Sequence, residues 1–257
     1  MKSHLVSQVI LKEFTNEAGL LTINYKDESR LPEQKSTRET AFVEISSEYI
    51  ERLERDWNKS IENDAKKTLR VLRNGDVLIY EKHTKILKKL MSLHFIRSQI
   101  LMRLFNEMSL HHFNKIIDEA MPAFSGDRQS LEAMVKERLP DVLTKTLVTS
   151  LEDLMKKVDA HIEPYGLEIG VAPKDANFVL SDSPAMTMDR EGNLGILQGV
   201  AILQATEFAM VMTPKHVITL KSGQQGIKYV YLTSVQVDNL NKKQIDHSLH
   251  EYYSVPS

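Results

Sequence analysis

Glu163-Pro164-Tyr165-Gly166, leading into Leu167-Glu168-Ile169-Gly170-Val171, is where the chain changes character. Upstream, apolar residues recur at helical spacing over long stretches. Downstream, short β-like runs alternate with turn residues. Helices followed by strands, rather than alternating with them, predict an α+β fold.

Beyond this junction, Leu167–Val171 and Asn177–Leu180 flank Pro173-Lys174-Asp175-Ala176 and read as a hairpin. Phe208–Thr213 and Val217–Leu220 flank Pro214-Lys215 and read as a second one. Helical spacing then returns through Val237, Leu240, Gln244, Ser248 and Tyr252.

On the other side, residues 1–14 read as a short amphipathic helix, 20–25 as a strand, and the charged, aperiodic residues 26–40 as a loop. A helix starts at Ser46 or Ser47 and runs to Arg73, where Asn74-Gly75-Asp76 stops it. A second covers about 81–119, either continuous or broken near Ser109, and further helices cover 128–138 and 140–162, with Pro140 opening the latter. The expectation is a predominantly helical N-terminal two-thirds packed on a small antiparallel sheet, with a C-terminal helix. It is a single α+β domain over 1–257: helical part about 46–162, sheet about 166–232, closing helix about 234–253.

Hydrophobic residues make up 42% of the chain and charged ones 26%, a balance that supports a packed core rather than disorder. The net charge of -2 gives no global attraction to nucleic acid or anionic membrane. With no cysteine, disulfides, thiolate zinc sites, iron–sulfur clusters and a cysteine nucleophile are excluded, so any metal falls to His, Asp or Glu. His4, Gln8, Lys12 and Glu13 break up the N-terminus, which lacks the apolar run of a signal peptide. Gly199–Thr213, the longest apolar stretch, is interrupted by Gln204 and Glu207 and falls short of the roughly 20 residues that span a bilayer. A cytoplasmic protein is expected. Phosphate-loop, dinucleotide, nucleophile-elbow and His-Glu-x-x-His motifs do not occur.

Several polar residues fall where apolar ones belong. On a helical wheel over 86–105, His94, Arg97 and Ser98 share the arc of Ile86, Leu87, Leu90, Leu93, Leu101, Leu104 and Phe105, while Lys88, Lys89, Ser92, Gln99 and Arg103 take the opposite face. An inward Arg97 requires a carboxylate partner, for which Asp182, Glu54, Glu62 and Asp64 are the candidates. Such a cluster either serves a site or only fixes helix register. His4 and Gln8, four apart, share a helix face and suit either ligand binding or an ordinary helix end. Phe178-Val-Leu-Ser181-Asp182-Ser-Pro184 is an apolar run ending in polar groups. A rigid strand end can present a nucleophile or a metal-binding carboxylate, and the plainer reading is a turn capped by Asp182. Asn241 is expected to point inward and bind buried backbone; His247 and His250, three apart, have the spacing of a metal pair, but a solvated helix is the simpler expectation.

In order along the chain, His4-x-x-x-Gln8-x-x-Leu11-x-x-Phe14, Ile61-Glu62, Leu72-Arg-Asn-Gly75, Phe95-Ile-Arg97, Phe178-Val-Leu-Ser-Asp-Ser-Pro184, Leu240-Asn241 and the final Tyr-Tyr-Ser254 resemble a widespread bacterial family, domain-of-unknown-function family 4238. Members often carry a proline after the first His, where this chain reads Leu5-Val-Ser7. The resemblance brings no known activity. It implies that His4, Gln8, Glu62, Arg97, Ser181, Asp182 and Asn241 form one constellation, with Gln8, Ser181 and Asn241 as ligand-binding groups. Such a set suits hydrolysis of a phosphodiester or nucleic-acid substrate, as in a toxin or defence effector. His4 would be the general base, Asp182 and Glu62 would hold Mg²⁺ or activate water, and Arg97 would steady the anionic transition state. The alternative is a non-catalytic ligand-binding or assembly module whose Arg97–carboxylate network is structural.

Overall fold

The computed structural model describes residues 2–4, 6–44, 55–56, 61–74, 81–98, 101, 113–115, 117–191 and 204–256, and for 2–4, 42–44 and 136–148 the backbone alone. The fold mixes helices with two sheets, and the sheets are larger than the small antiparallel one expected.

One sheet has five strands: β5 (Gly166–Val171), β7 (Ala185–Met188), β8 (Glu207–Thr213), β9 (His216–Lys221) and β10 (Ile227–Tyr231), in the order β10-β5-β9-β8-β7. All its pairs are antiparallel except β10 with β5. The other has four antiparallel strands: β2 (Leu20–Tyr25), β3 (Glu33–Ser36), β6 (Leu180–Ser181) and β11 (Glu251–Ser254), in the order β3-β2-β11-β6. A short ribbon pairs β1 (Lys2–His4) with β4 (Phe42–Glu44).

The β8–β9 hairpin and strand β2 match their local sequence signals. The hairpin expected between 167–171 and 177–180 does not form: β5 pairs with β9 and β10, and β6 pairs with β11. The connection instead wraps the β8–β9 turn. Ala172 N–H donates to the Lys215 carbonyl, Phe178 N–H to that of Pro214, and the Lys215 ammonium holds the carbonyls of Pro173, Lys174 and Ala176. These contacts satisfy the loop backbone without a return strand. Within residues 26–40, β3 was hidden from the pattern because Glu-Gln-Lys-Ser lies at a sheet edge with no apolar face.

Helix α1 is only Gln8–Leu11, preceded by the β1 strand, so His4 and Gln8 stand on different elements rather than on one helix face. Helix α2 (Asn63–Arg73) ends at the expected Asn74 and buries Ala65, Thr68, Leu69 and Leu72, a stripe at helical spacing. Helix α3 (Glu81–Ile96) stops well before 119, and the Ser98 hydroxyl just past its end accepts the Leu101 N–H. Every residue from Leu90 to Ser98 is buried, so the final turns of α3 have no solvent face. Lys88 is buried too, contrary to its wheel position, and its ammonium donates to the Glu163 carbonyl. Cations suit that carbonyl, which caps the C-terminus of α4 (Arg128–Ile162).

Helix α4 runs unbroken through Pro140, which therefore opens no new helix. The hydrogen bonds on either side outweigh the single N–H that proline removes. Helix α5 (Ser234–His247) is shorter than the 234–253 expected, and the chain closes on strand β11 instead. Helix α3 packs against both α2 and α4, and α2 and α3 cover the five-stranded sheet at β8 and β7. Among the described residues no helix is long and apolar enough to cross a membrane.

Candidate functional site

Two polar centres are built from the residues the sequence singled out. The first lies where the N-terminal segment meets α3. His94 and Arg97, one turn apart at the end of α3, both face Ser7, the residue before α1. Arg97 Nη1 donates to Glu62 Oε1 at 2.6 Å, and the Ser7 hydroxyl donates to the same oxygen at 2.6 Å. Arg97 Nη1 also lies 3.3 Å from Ser7 Oγ. Glu62 stands just before α2, with its side chain 15% exposed against 5% for Arg97.

His94 is fully buried. Its Nε2 accepts the Ser7 N–H at 3.0 Å, and Nδ1 lies 2.8 Å from the Leu90 carbonyl, so the proton belongs on Nδ1. Burial lowers its pKa to about 4, against the raising effect of the Leu90 contact, so the ring is neutral at physiological pH. Burial also pushes the Glu62 carboxyl up, but the Arg97 guanidinium and the Ser7 and Arg97 hydrogen bonds more than reverse this and hold it below the ordinary carboxylate value. The centre is thus an ionised pair backed by a neutral imidazole whose two nitrogens are both engaged.

The second centre joins the Ser181–Pro184 segment to α5 and β11. Asp182 is 1% exposed: Oδ1 accepts Leu249 N–H at 2.9 Å, and Oδ2 accepts His250 N–H at 2.8 Å and Glu251 N–H at 3.2 Å. Those three amides cannot also continue α5, which explains why the chain leaves the helix there and enters β11. Ser181 N–H donates to Gln244 Oε1, whose amide nitrogen donates to the Pro184 carbonyl, and Ser181 Oγ accepts from Ser248 Oγ and Ser183 N–H. Asn241 binds backbone as expected, accepting Val179 N–H and donating to the Asn177 carbonyl, both at 2.9 Å. His247 is buried rather than solvated: burial lowers its pKa to about 4, opposed by its hydrogen bond with Ala185.

Of the expected constellation, the structure brings Glu62 to Arg97, with Ser7 between them, and groups Ser181, Asp182 and Asn241 around α5. Among the carboxylates considered for Arg97, Glu62 takes the pairing; Asp64 is exposed, and Glu54 lies outside the described residues. Gln8 reaches the Thr37 carbonyl at 3.2 Å. The His4 backbone pairs with Phe42, and its side chain lies outside the described residues. The carboxylates do not fit a shared Mg²⁺: Asp182 spends both oxygens on amides, and Glu62 Oε1 already serves Ser7 and Arg97. Among the described residues, no three His, Asp or Glu side chains are grouped to hold a metal.

Sequence reasoning passed over Ser7, Gln244 and Ser248. Gln244 and Ser248, at inward positions of the closing helix pattern, carried a signal; Ser7 carried none. His94, noticed on the apolar arc, belonged with Arg97 by its i to i+3 spacing.

The sequence profile of the family described as "Protein of unknown function (DUF4238)" matches residues 2–255, and the chain belongs to that family. No curated protein and no solved structure matches it.

Proposed function

We propose that the chain is a non-catalytic binding or assembly module, cytoplasmic, in which the Glu62–Arg97 network is structural and ties the N-terminal segment to α2 and α3. One observation carries this reading: the His94 imidazole and the Asp182 carboxylate, at the heart of the two centres, are already engaged by the fold. The Nε2 lone pair of His94 accepts a backbone amide, and both oxygens of Asp182 accept three more. A general base needs a free lone pair within reach of its substrate. Both His94 nitrogens are engaged, and Asp182, 1% exposed beneath three amides, is out of a substrate's reach.

A hydrolase acting on a phosphodiester or nucleic-acid substrate is the second reading. It is favoured by the Glu62 side chain, still 15% exposed and held ionised beside a buried guanidinium. In that reading Glu62 orients water, Arg97 steadies the anion, and His4 supplies the base.

Thermal melting of Arg97→Ala, alongside cleavage assays of the native chain on bis(p-nitrophenyl) phosphate, RNA and DNA, separates the two. The structural reading expects a large loss of stability in the variant and no cleavage by the native chain. A variant that melts like the native chain rejects it. Native cleavage that Glu62→Gln abolishes, with melting unchanged, puts the hydrolase in its place.

A further inference from the structure

Away from both centres, a cleft of about 340 Å³ opens between the N-terminal segment, the end of α2 and the β8–β9 turn, lined by Lys12, Glu13, Thr15, Arg73 and Thr213–His216. Its volume is in the range of small-molecule sites, about 300–1,000 Å³. Lys12 is exposed and makes no ion pair among the described residues. Arg73 faces Glu13 at 3.6 Å, longer than the roughly 2.7–2.9 Å of a tight charge-assisted bond, and its side chain is 60% exposed. It can therefore turn to a second anion.

The floor is rigid. The Lys215 ammonium is spent on the carbonyls of Pro173, Lys174 and Ala176 at 2.9, 2.9 and 2.6 Å, which pins the turn. Thr213 Oγ1 accepts Lys215 N–H at 3.1 Å and lies 2.9 Å from His216 Nδ1. Nε2 of His216 has no hydrogen-bond partner among the described residues, and it carries the ring proton whenever the Thr213 hydroxyl donates to Nδ1. His216 is 8% exposed and kept neutral by burial. The cleft thus presents two exposed cations, the His216 ring and one carboxylate. Burial raises the Glu13 pKa against the pull of Arg73, so Glu13 takes up a proton more readily than an exposed carboxylate. The larger cleft of about 490 Å³ has no such imbalance: Asp189 and Glu207 offset Arg190 and Lys221, and Lys221 is committed to Glu168 at 3.0 Å.

We propose that the Lys12–Arg73–His216 cleft binds the phosphate group of a small phosphorylated molecule, with Lys12 and Arg73 as cationic arms and His216 donating through its Nε2–H. A phosphate dianion matches the charge excess, and the remaining volume accommodates the group it is attached to. The site shares no residue with the Glu62–Arg97 centre, so it can fail while the structural reading of that centre stands.

Titration of the full chain with phenyl phosphate, followed by calorimetry and by the His216 ring signals in NMR, tests it. Saturable binding that moves the His216 signals is expected, weakened about tenfold or more by Lys12→Ala and by Arg73→Ala. Lys12→Ala decides if Arg73→Ala does not fold. Absence of saturation, or unchanged affinity in Lys12→Ala, overturns the site. Benzoate binding as tightly as phenyl phosphate overturns the phosphate assignment.

Discussion

Arg97 and Glu62 meet at 2.6 Å between the end of α3 and the start of α2, and the hydroxyl of Ser7 shares the same carboxylate oxygen. Three separate stretches of chain are joined at one atom, Glu62 Oε1. Removing one partner leaves a mostly desolvated charge, whereas removing both does not.

Arg97→Ala or Glu62→Gln is therefore expected to cost about 3–5 kcal/mol, and an Arg97→Met/Glu62→Leu double variant to recover a substantial part. Urea denaturation across a double-mutant cycle measures this. Additive losses would contradict the pairing as an energetic unit.

Asp182→Asn keeps the shape but exchanges one acceptor oxygen for an NH2 group that opposes two of the three backbone donors, or one if the amide is flipped. A loss of about 1–3 kcal/mol for each unsatisfied buried donor is expected. Hydrogen exchange should localise it, with faster exchange at Leu249, His250 and Glu251. Unchanged protection there would show that the amides do not depend on the carboxylate.

Acidification acts through three buried imidazoles. His94, His216 and His247 have pKa values lowered by burial from 6.5 to about 4, so the unfolded chain binds protons first as pH falls. Their stabilising contribution is complete above about pH 6.5 and is lost between there and about pH 4. The difference corresponds to roughly 3 kcal/mol per imidazole as an upper scale. Glu62, with its pKa lowered, adds a loss at the acidic end as pH drops through its folded value. Chemical denaturation from pH 7 to 4 should show this decline, and His94→Gln a shallower one. A flat profile would contradict neutral burial.

Gly166→Ala tests the entry into β5. A Cβ there would meet the Gln224 backbone carbonyl carbon and oxygen at 2.7 Å, and backbone cannot rotate away as a side chain can. Destabilisation of about 1–3 kcal/mol is expected in thermal melts, on the scale of overpacking. A neutral variant would show that the Gln224 turn yields.

What the sequence by itself determined is what short-range physics encodes. The shift at Glu163–Gly166 marked mixed α and β structure, the Pro214-Lys215 turn placed the β8–β9 hairpin, and Arg97 on an apolar arc demanded a carboxylate. Asn241, inward by periodicity, found backbone, though at Asn177 and Val179 that backbone is exposed or only partly buried. Partner identity was left to the tertiary structure, because several carboxylates satisfied the same demand and only chain packing brings Glu62, rather than Asp182, to Arg97. The chain's end shows the same limit. Residues 248–253 carry helical spacing, yet Asp182, distant in sequence, captures the amides of 249–251 and turns the segment into β11, paired between β2 and β6. Periodicity records which face of a segment is apolar, and a hydrogen bond from a distant carboxylate leaves no trace in it.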